Sequence, residues 1–334
     1  MFEILFYNFN YILKYIFKLP IIQIVKRFHK SKEFFNMLDN LTTEARNQRT
    51  MHLDEMSVIE LLTVMNEEDT KVAGAVKEQI PHIAEAVASI TESLRRGGRL
   101  IYIGAGTSGR IGLLDAVECP PTFGTEPEQV VGLIAGGSNA FIKAVEGAED
   151  RKEFGAEDLQ SLNLTANDAV VGIAASGRTP YVIGGLDYAR SVGAVTISVS
   201  CNKDAEISQI ADIAIEIENG PEVLTGSTRL KAGTSQKLVC NMLSTASMIG
   251  LGKVYGNLMV DVQLTNEKLE ERAKRIVMEA TSCDLSTAEK ALELAERRPK
   301  PAILMILTGC TYEEALEKLE RTKGFIRSAV NESK

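Results

Sequence analysis

The chain has 334 residues, 45% of them hydrophobic and 25% charged, and a formal net charge of −8. That length holds one large domain, or a core domain with a small companion. The acidic balance excludes a nucleic-acid surface, which needs a concentrated basic face.

Residues 1–36 differ from the rest. They hold ten of the nineteen aromatics, among them Phe2, Phe6, Tyr7, Phe9, Tyr11 and Tyr15, and neither glycine nor alanine. Ile4 to Val25 is largely apolar, but Lys14 and Lys18 interrupt it, and a spanning helix wants about 20 apolar residues in a row. No membrane span is expected. No small-residue cleavage site follows. We read the segment as an atypical extension, with translation expected to begin at Met37.

Ser57 and Glu60 form a capping box ahead of an apolar stretch. Val72, Val76, Ile80, Ile83, Val87, Ile90 and Leu94 step by threes and fours, predicting one long amphipathic helix kinked at Pro81. Five strand-like runs follow: Leu100–Ile103, Val130–Ala135, Ala169–Ala174, Val195–Ser200 and Ile210–Ile215. They are apolar without strict alternation and separated by helical stretches, which predicts a doubly wound α/β fold with a five-stranded, mainly parallel sheet. A long helix is expected over Ala232 to Leu251, and short helices alone from about Glu271. The expected organisation is therefore an extension over 1–36, N-terminal helices over 37–96, an α/β domain over 97–270 and a small helical domain over 271–334.

Cys119, Cys201, Cys240, Cys283 and Cys310 lie far apart with no CxxC pair. They read as reduced thiols in a cytoplasmic protein. His29, His52 and His82 show no ligand spacing, so no zinc or iron site is expected.

The first strand runs into Gly104-Ala105-Gly106-Thr107-Ser108-Gly109-Arg110. Taken alone this is the GxGxxG dinucleotide fingerprint, which demands an acidic residue at the next strand's end. That strand ends Ala135-Gly136-Gly137-Ser138 instead. The dinucleotide reading fails its own test. The third strand ends similarly, in Ala174-Ala175-Ser176-Gly177-Arg178-Thr179-Pro180. One such loop is ordinary turn chemistry; two, each opening a helix, make an anion cradle of backbone N–H groups and hydroxyls. Arg178 is read either as a phosphate contact or as a rim salt bridge. In Thr225-Gly226-Ser227-Thr228-Arg229-Leu230-Lys231, Ser227, Thr228 and Lys231 either close the pocket over a phosphate or merely cap a helix.

The Gly106-Thr107-Ser108 and Ser176-Gly177-Arg178-Thr179 loops resemble the phosphosugar-binding motifs of SIS (sugar isomerase) domains. More narrowly, Ile101–Gly124, Gly132–Gly137, Ala144–Asp150, Gly172–Val182, Thr225–Lys237 and Gly256–Val262 resemble, block by block, the N-acetylmuramic acid 6-phosphate etherase family. The likeness runs from about Leu41 to near Arg327. It implies cleavage of the D-lactyl ether at C3 of N-acetylmuramic acid 6-phosphate, in cell-wall amino-sugar recycling, without metal or cofactor. It also implies a homodimer and carries two catalytic glutamates onto Glu118 and Glu149.

The chemistry suits two carboxyls. In the open-chain sugar the C1 aldehyde acidifies the C2 proton and places the C3 ether β to the carbonyl. A base takes that proton, an acid protonates the departing lactate, and water then adds at C3. Glu118 precedes Pro120-Pro121 and is expected at a helix C-terminus, whose dipole favours a retained proton. We assign it as the acid for lactate departure, and Glu149 as acid/base at C2. A regular helix over Arg110–Val117 puts Glu118 roughly 12 Å from the phosphate loop, which asks for a bent helix or a second subunit. Asp115 is read as a solvated charge in preference to a residue that supports Glu118. A non-catalytic sugar-phosphate sensor, like the glucokinase regulatory proteins, is the alternative. The chain has room for one such domain where those regulators carry two.

Overall fold

A computed structural model describes residues 41–143, 145–264 and 267–332. The expected extension over 1–36 and the start at Met37 lie outside the described residues.

Ser57 caps α1 (Val58–Glu78), and the capping box with Glu60 is complete. The predicted single helix is two, because α1 ends at Gln79 and α2 (Ile80–Arg95) begins anew with Pro81 in its first turn. A proline there forfeits only an N–H that a first turn leaves unpaired. The Gln79 side chain then accepts a hydrogen bond from the Glu216 N–H at 3.1 Å.

Strands β1 (Leu100–Gly104), β2 (Val130–Ile134), β3 (Ala169–Ile173), β4 (Val195–Ser200) and β5 (Ile213–Glu216) form one sheet, ordered β2-β1-β3-β4-β5. Every pairing is parallel, and Gly104 stands in register with Ile134 on one side and Ile173 on the other. The expected strand Ile210–Ile215 starts late: Ile210 closes a short helix, α6 (Glu206–Ile210). A short apolar run carries no period that separates strand from helix.

Two helical layers cover the sheet. On one face α2, α3 (Gly106–Phe123) and α7 (Lys231–Gly250) bury Ile90, Leu94, Cys119, Phe123, Val239 and Leu243 against Leu100, Tyr102 and Val171. On the other, α4 (Lys152–Ser161) and α5 (Pro180–Val192) pack Leu159, Tyr181, Val182 and Leu186 onto Ile101, Ile103 and Val170. Strands covered this way must be apolar on both faces, which is why they lack alternation.

A hairpin of β6 (Val254–Tyr255) and β7 (Leu258–Met259) leads to α8 (Glu267–Thr281), α9 (Leu285–Leu294), α10 (Pro299–Thr308), α11 (Tyr312–Arg321) and α12 (Ile326–Asn331). These helices share a third core around Ile276, Val277, Leu292, Ile303 and Leu304. Among the described residues no helix is long and apolar enough to cross a membrane.

Candidate active site

The chain leaves β1 toward β2 on one side, and β3 returns on the other, so β1 and β3 flank the topological switch point. Ligands of open α/β sheets bind at the carboxyl ends of strands at such a point. A cavity of about 570 Å³ opens there, lined by Gly106, Thr107 and Ser108 beyond β1 and by Ser176, Arg178 and Thr179 beyond β3.

Local geometry explains both loops. A Cβ at Gly109 would stand 2.7 Å from the Gly104 carbonyl oxygen, so the glycines let α3 start hard against β1 without any dinucleotide. Ala105 caps α3 without a side-chain acceptor, and the first-turn N–H groups of a helix have no intrahelical partner. In the second loop Gly177 has φ +73°, and a Cβ there would meet the Ala205 Cβ at 2.3 Å. The Ser176 hydroxyl accepts from the Arg178 N–H at 3.3 Å. Ser108 donates to the buried Gln236 side chain at 2.9 Å, which fixes α3 to α7 beneath the cavity floor.

Glu149 lines the same cavity, with Asp150. Its carbonyl accepts from the Tyr181 N–H in the first turn of α5 at 3.0 Å. The strand-tip loop and the segment carrying the carboxyl are thereby tied together.

Three expected side chains are elsewhere. Glu118 does not reach this cavity. The helix does not stop before Pro120-Pro121 but continues through both to Phe123, with Gly124 as its left-handed cap. Glu118 therefore sits more than a turn inside the helix, outside the reach of its terminal dipole, and about 18 Å along from Gly106 by helical rise. It is exposed and lines a separate groove of about 200 Å³ with Asp115, Lys237 and Cys240. Lys231 does not close over a phosphate either. It is 1% exposed and its ammonium donates to Glu68 of α1 at 2.8 Å. Thr228 lines the cavity, whereas Ser227 is not in its wall.

Asp115 departs from its reading as a solvated charge. It is buried and accepts from the Tyr102 hydroxyl at 2.9 Å and the Ser244 hydroxyl at 3.1 Å. Burial raises its pKa above the usual carboxylate value, against the pull of those two hydrogen bonds.

The cavity also takes residues that sequence reasoning passed over: Leu41, Glu44, Glu206 and Gly226. Leu41 and Glu44 belong to a polar segment with no period. Asn202 fastens it, accepting from the Thr42 hydroxyl at 2.8 Å while donating to Thr43 at 3.1 Å and to the Ala175 carbonyl at 3.0 Å.

A parallel five-stranded sheet with glycine loops at its switch point is the arrangement of an SIS-type fold. The family model "SIS domain" matches residues 153–246, and "Glucokinase regulatory protein N-terminal SIS domain" matches residues 82–190. A protein of Exiguobacterium sp. named N-acetylmuramic acid 6-phosphate etherase is 64% identical over 294 residues, covering 88% of this chain and 100% of that one. One of that name from Mycolicibacterium smegmatis is 62% identical over 293 residues, 88% of this chain and 98% of that one. The chain belongs to the N-acetylmuramic acid 6-phosphate etherase family.

Proposed function

We propose that this chain cleaves the D-lactyl ether of N-acetylmuramic acid 6-phosphate, giving N-acetylglucosamine 6-phosphate and D-lactate. The observation that carries this reading is the cavity where two Gly/Ser/Thr strand-tip loops meet Glu149, in a chain 64% identical to an enzyme of that name. The loops take the phosphate, and Glu149 serves as acid/base at C2. Elimination of lactate leaves a 2,3-unsaturated aldehyde, and water adds at C3. No redox step occurs, so no nicotinamide is called for.

Glu118 is the acid for lactate departure, and it comes from a second copy. Leu114 and Val117, beside it on α3, are 47% and 56% exposed, an apolar flank suited to a homodimer contact that brings Glu118 to the partner's cavity. Five free cysteines, three of them buried, fit a cytoplasmic enzyme. The test is incubation with N-acetylmuramic acid 6-phosphate, without nucleotide or metal, and assay of D-lactate. Absence of D-lactate, with the sugar phosphate still bound, overturns the reading in favour of a sensor.

A further inference from the structure

Elimination begins from an aldehyde, yet an amino-sugar phosphate rests as a closed pyranose in which C1 is a hemiacetal. Something must open the ring, and neither Glu118 nor Glu149 has that task. We propose that Glu44 is the ring-opening acid/base, a reading that rests on the etherase assignment.

Four carboxyl side chains line the cavity: Glu44, Glu149, Asp150 and Glu206. Glu149 is taken by C2, and Asp150 follows it on the same strand of loop. Glu206 stands one residue from Ala205, whose Cβ packs on Gly177 of the phosphate loop, and Ile207 N–H bonds the Gly177 carbonyl at 3.0 Å. A carboxylate so near the phosphate cradle is repelled by its occupant.

Glu44 reaches the cavity on a separate segment. Its segment is fixed to α1 through Arg49, which donates to Glu68 at 3.0 Å, and to the loop after β5 through Asn47, which donates to the Pro221 carbonyl at 3.2 Å. Its carboxyl oxygen lies 3.6 Å from where a Cβ on Gly226 would stand. Glu149 is held instead to α5. The two carboxyls thus enter one cavity on separately anchored segments, so each can face a different atom of one sugar. Thr43 and Asn47 are buried on either side of Glu44, so a rigid segment presents an exposed acid.

The step balances without another reactant. The Glu44 carboxylate takes the proton of the C1 hydroxyl, and the O1 electron pair forms the C1=O1 bond. The C1–O5 bond breaks, its electron pair leaves on O5, and the same proton passes from Glu44 to O5.

The test compares two substrates on the full chain and on Glu44→Gln. One is the closed N-acetylmuramic acid 6-phosphate, read by D-lactate release. The other is the open-chain 2,3-unsaturated aldehyde with C1 and C4 trans across the double bond, which cannot close to a pyranose, read by water addition. Glu44→Gln is expected to lower the first rate relative to the second by about 10²-fold or more, with N-acetylglucosamine 6-phosphate still bound in calorimetry. Equal losses on both substrates, or no loss on the closed one, overturn the proposal. A wild-type chain that neither releases lactate from the first nor adds water to the second overturns the etherase reading instead. Should Glu44→Gln fail to fold, Glu44→Asp replaces it: the ratio must fall there too, and an unchanged ratio is fatal to the idea.

Discussion

The Lys231 ammonium lies 2.8 Å from a Glu68 carboxyl oxygen, and the two side chains are 1% and 3% exposed. This pair joins α1 to the first residue of α7, and Glu222 supports it by accepting from the Lys231 and Ala232 N–H groups at 3.0 and 2.9 Å. The loop that carries Thr228 into the cavity is thus anchored from below rather than closed from above.

Glu68→Ala strands a buried ammonium, and loss of one partner from such a pair costs about 3–5 kcal/mol. Urea titration should show that loss. Burial alone would raise the Glu68 pKa, but hydrogen bonds from Lys231, Lys71 and Arg49 outweigh it and hold the carboxyl at about 2. A folded pKa below the unfolded value means stability present above the unfolded pKa, near 4.3, and lost as pH falls through about 2. The wild type should therefore lose stability steeply between those two values. Glu68→Gln should show a shallower slope there.

Gly177 offers a second measurement. Its φ of +73° and the 2.3 Å approach of a built Cβ to the Ala205 Cβ mean that alanine strains the backbone and displaces α6. Left-handed strain of this kind costs about 1–3 kcal/mol. Gly177→Ala should lower the melting temperature and weaken binding of N-acetylglucosamine 6-phosphate more than Gly137→Ala does. Gly137 has φ +75° but no neighbour within 4 Å of its built Cβ. Equal behaviour of the two variants would remove the loop's close packing from the account of binding.

Much of this architecture was legible because burial writes itself into apolar runs. The strands at Leu100, Val130, Ala169 and Val195 begin at the expected residues, and the glycine loops sit at their tips. Long-range placement was not legible. Nothing local distinguishes Lys231, which points into a buried pair, from a lysine over a phosphate, since the deciding partner is Glu68, far away in the chain. Pro120-Pro121 signalled a helix end, but packing of Cys119 and Phe123 into the core carries α3 past both prolines. Glu44 had no periodic signal at all, because Asn202 and Pro221 hold its segment in place.

The cysteines divide by burial. Burial pushes the Cys119 and Cys201 thiols up to about 12 and raises Cys240 as well, whereas Cys283 and Cys310 are only half-buried in the helical C-terminal part. A thiolate-selective reagent at pH 8 should modify Cys283 and Cys310 first, with lactate release retained, and reach the other three only as the fold opens. Peptide mapping after limited labelling gives the order. Early labelling of Cys240, which lines the groove beside Glu118, would show that this groove admits solvent more deeply than its packing implies.

Glu118 and Glu149 line separate cavities of one chain, and this separation makes a complementation experiment decisive. Glu118→Gln and Glu149→Gln should each lower lactate release by about 10²–10⁴-fold, the usual contribution of a positioned acid or base. Both should still bind N-acetylglucosamine 6-phosphate, because neither change touches the loops at Thr107 or Ser176. If a second copy supplies Glu118, a mixed dimer of the two variants contains one site with both carboxyls intact. Co-expressed variants should then regain activity that neither parent shows. Leu114→Glu, by placing a charge on the apolar flank of α3, should shift the protein toward monomer in sedimentation and lower activity with it. Inactive mixed dimers would mean that a single chain bends Glu118 into its own cavity.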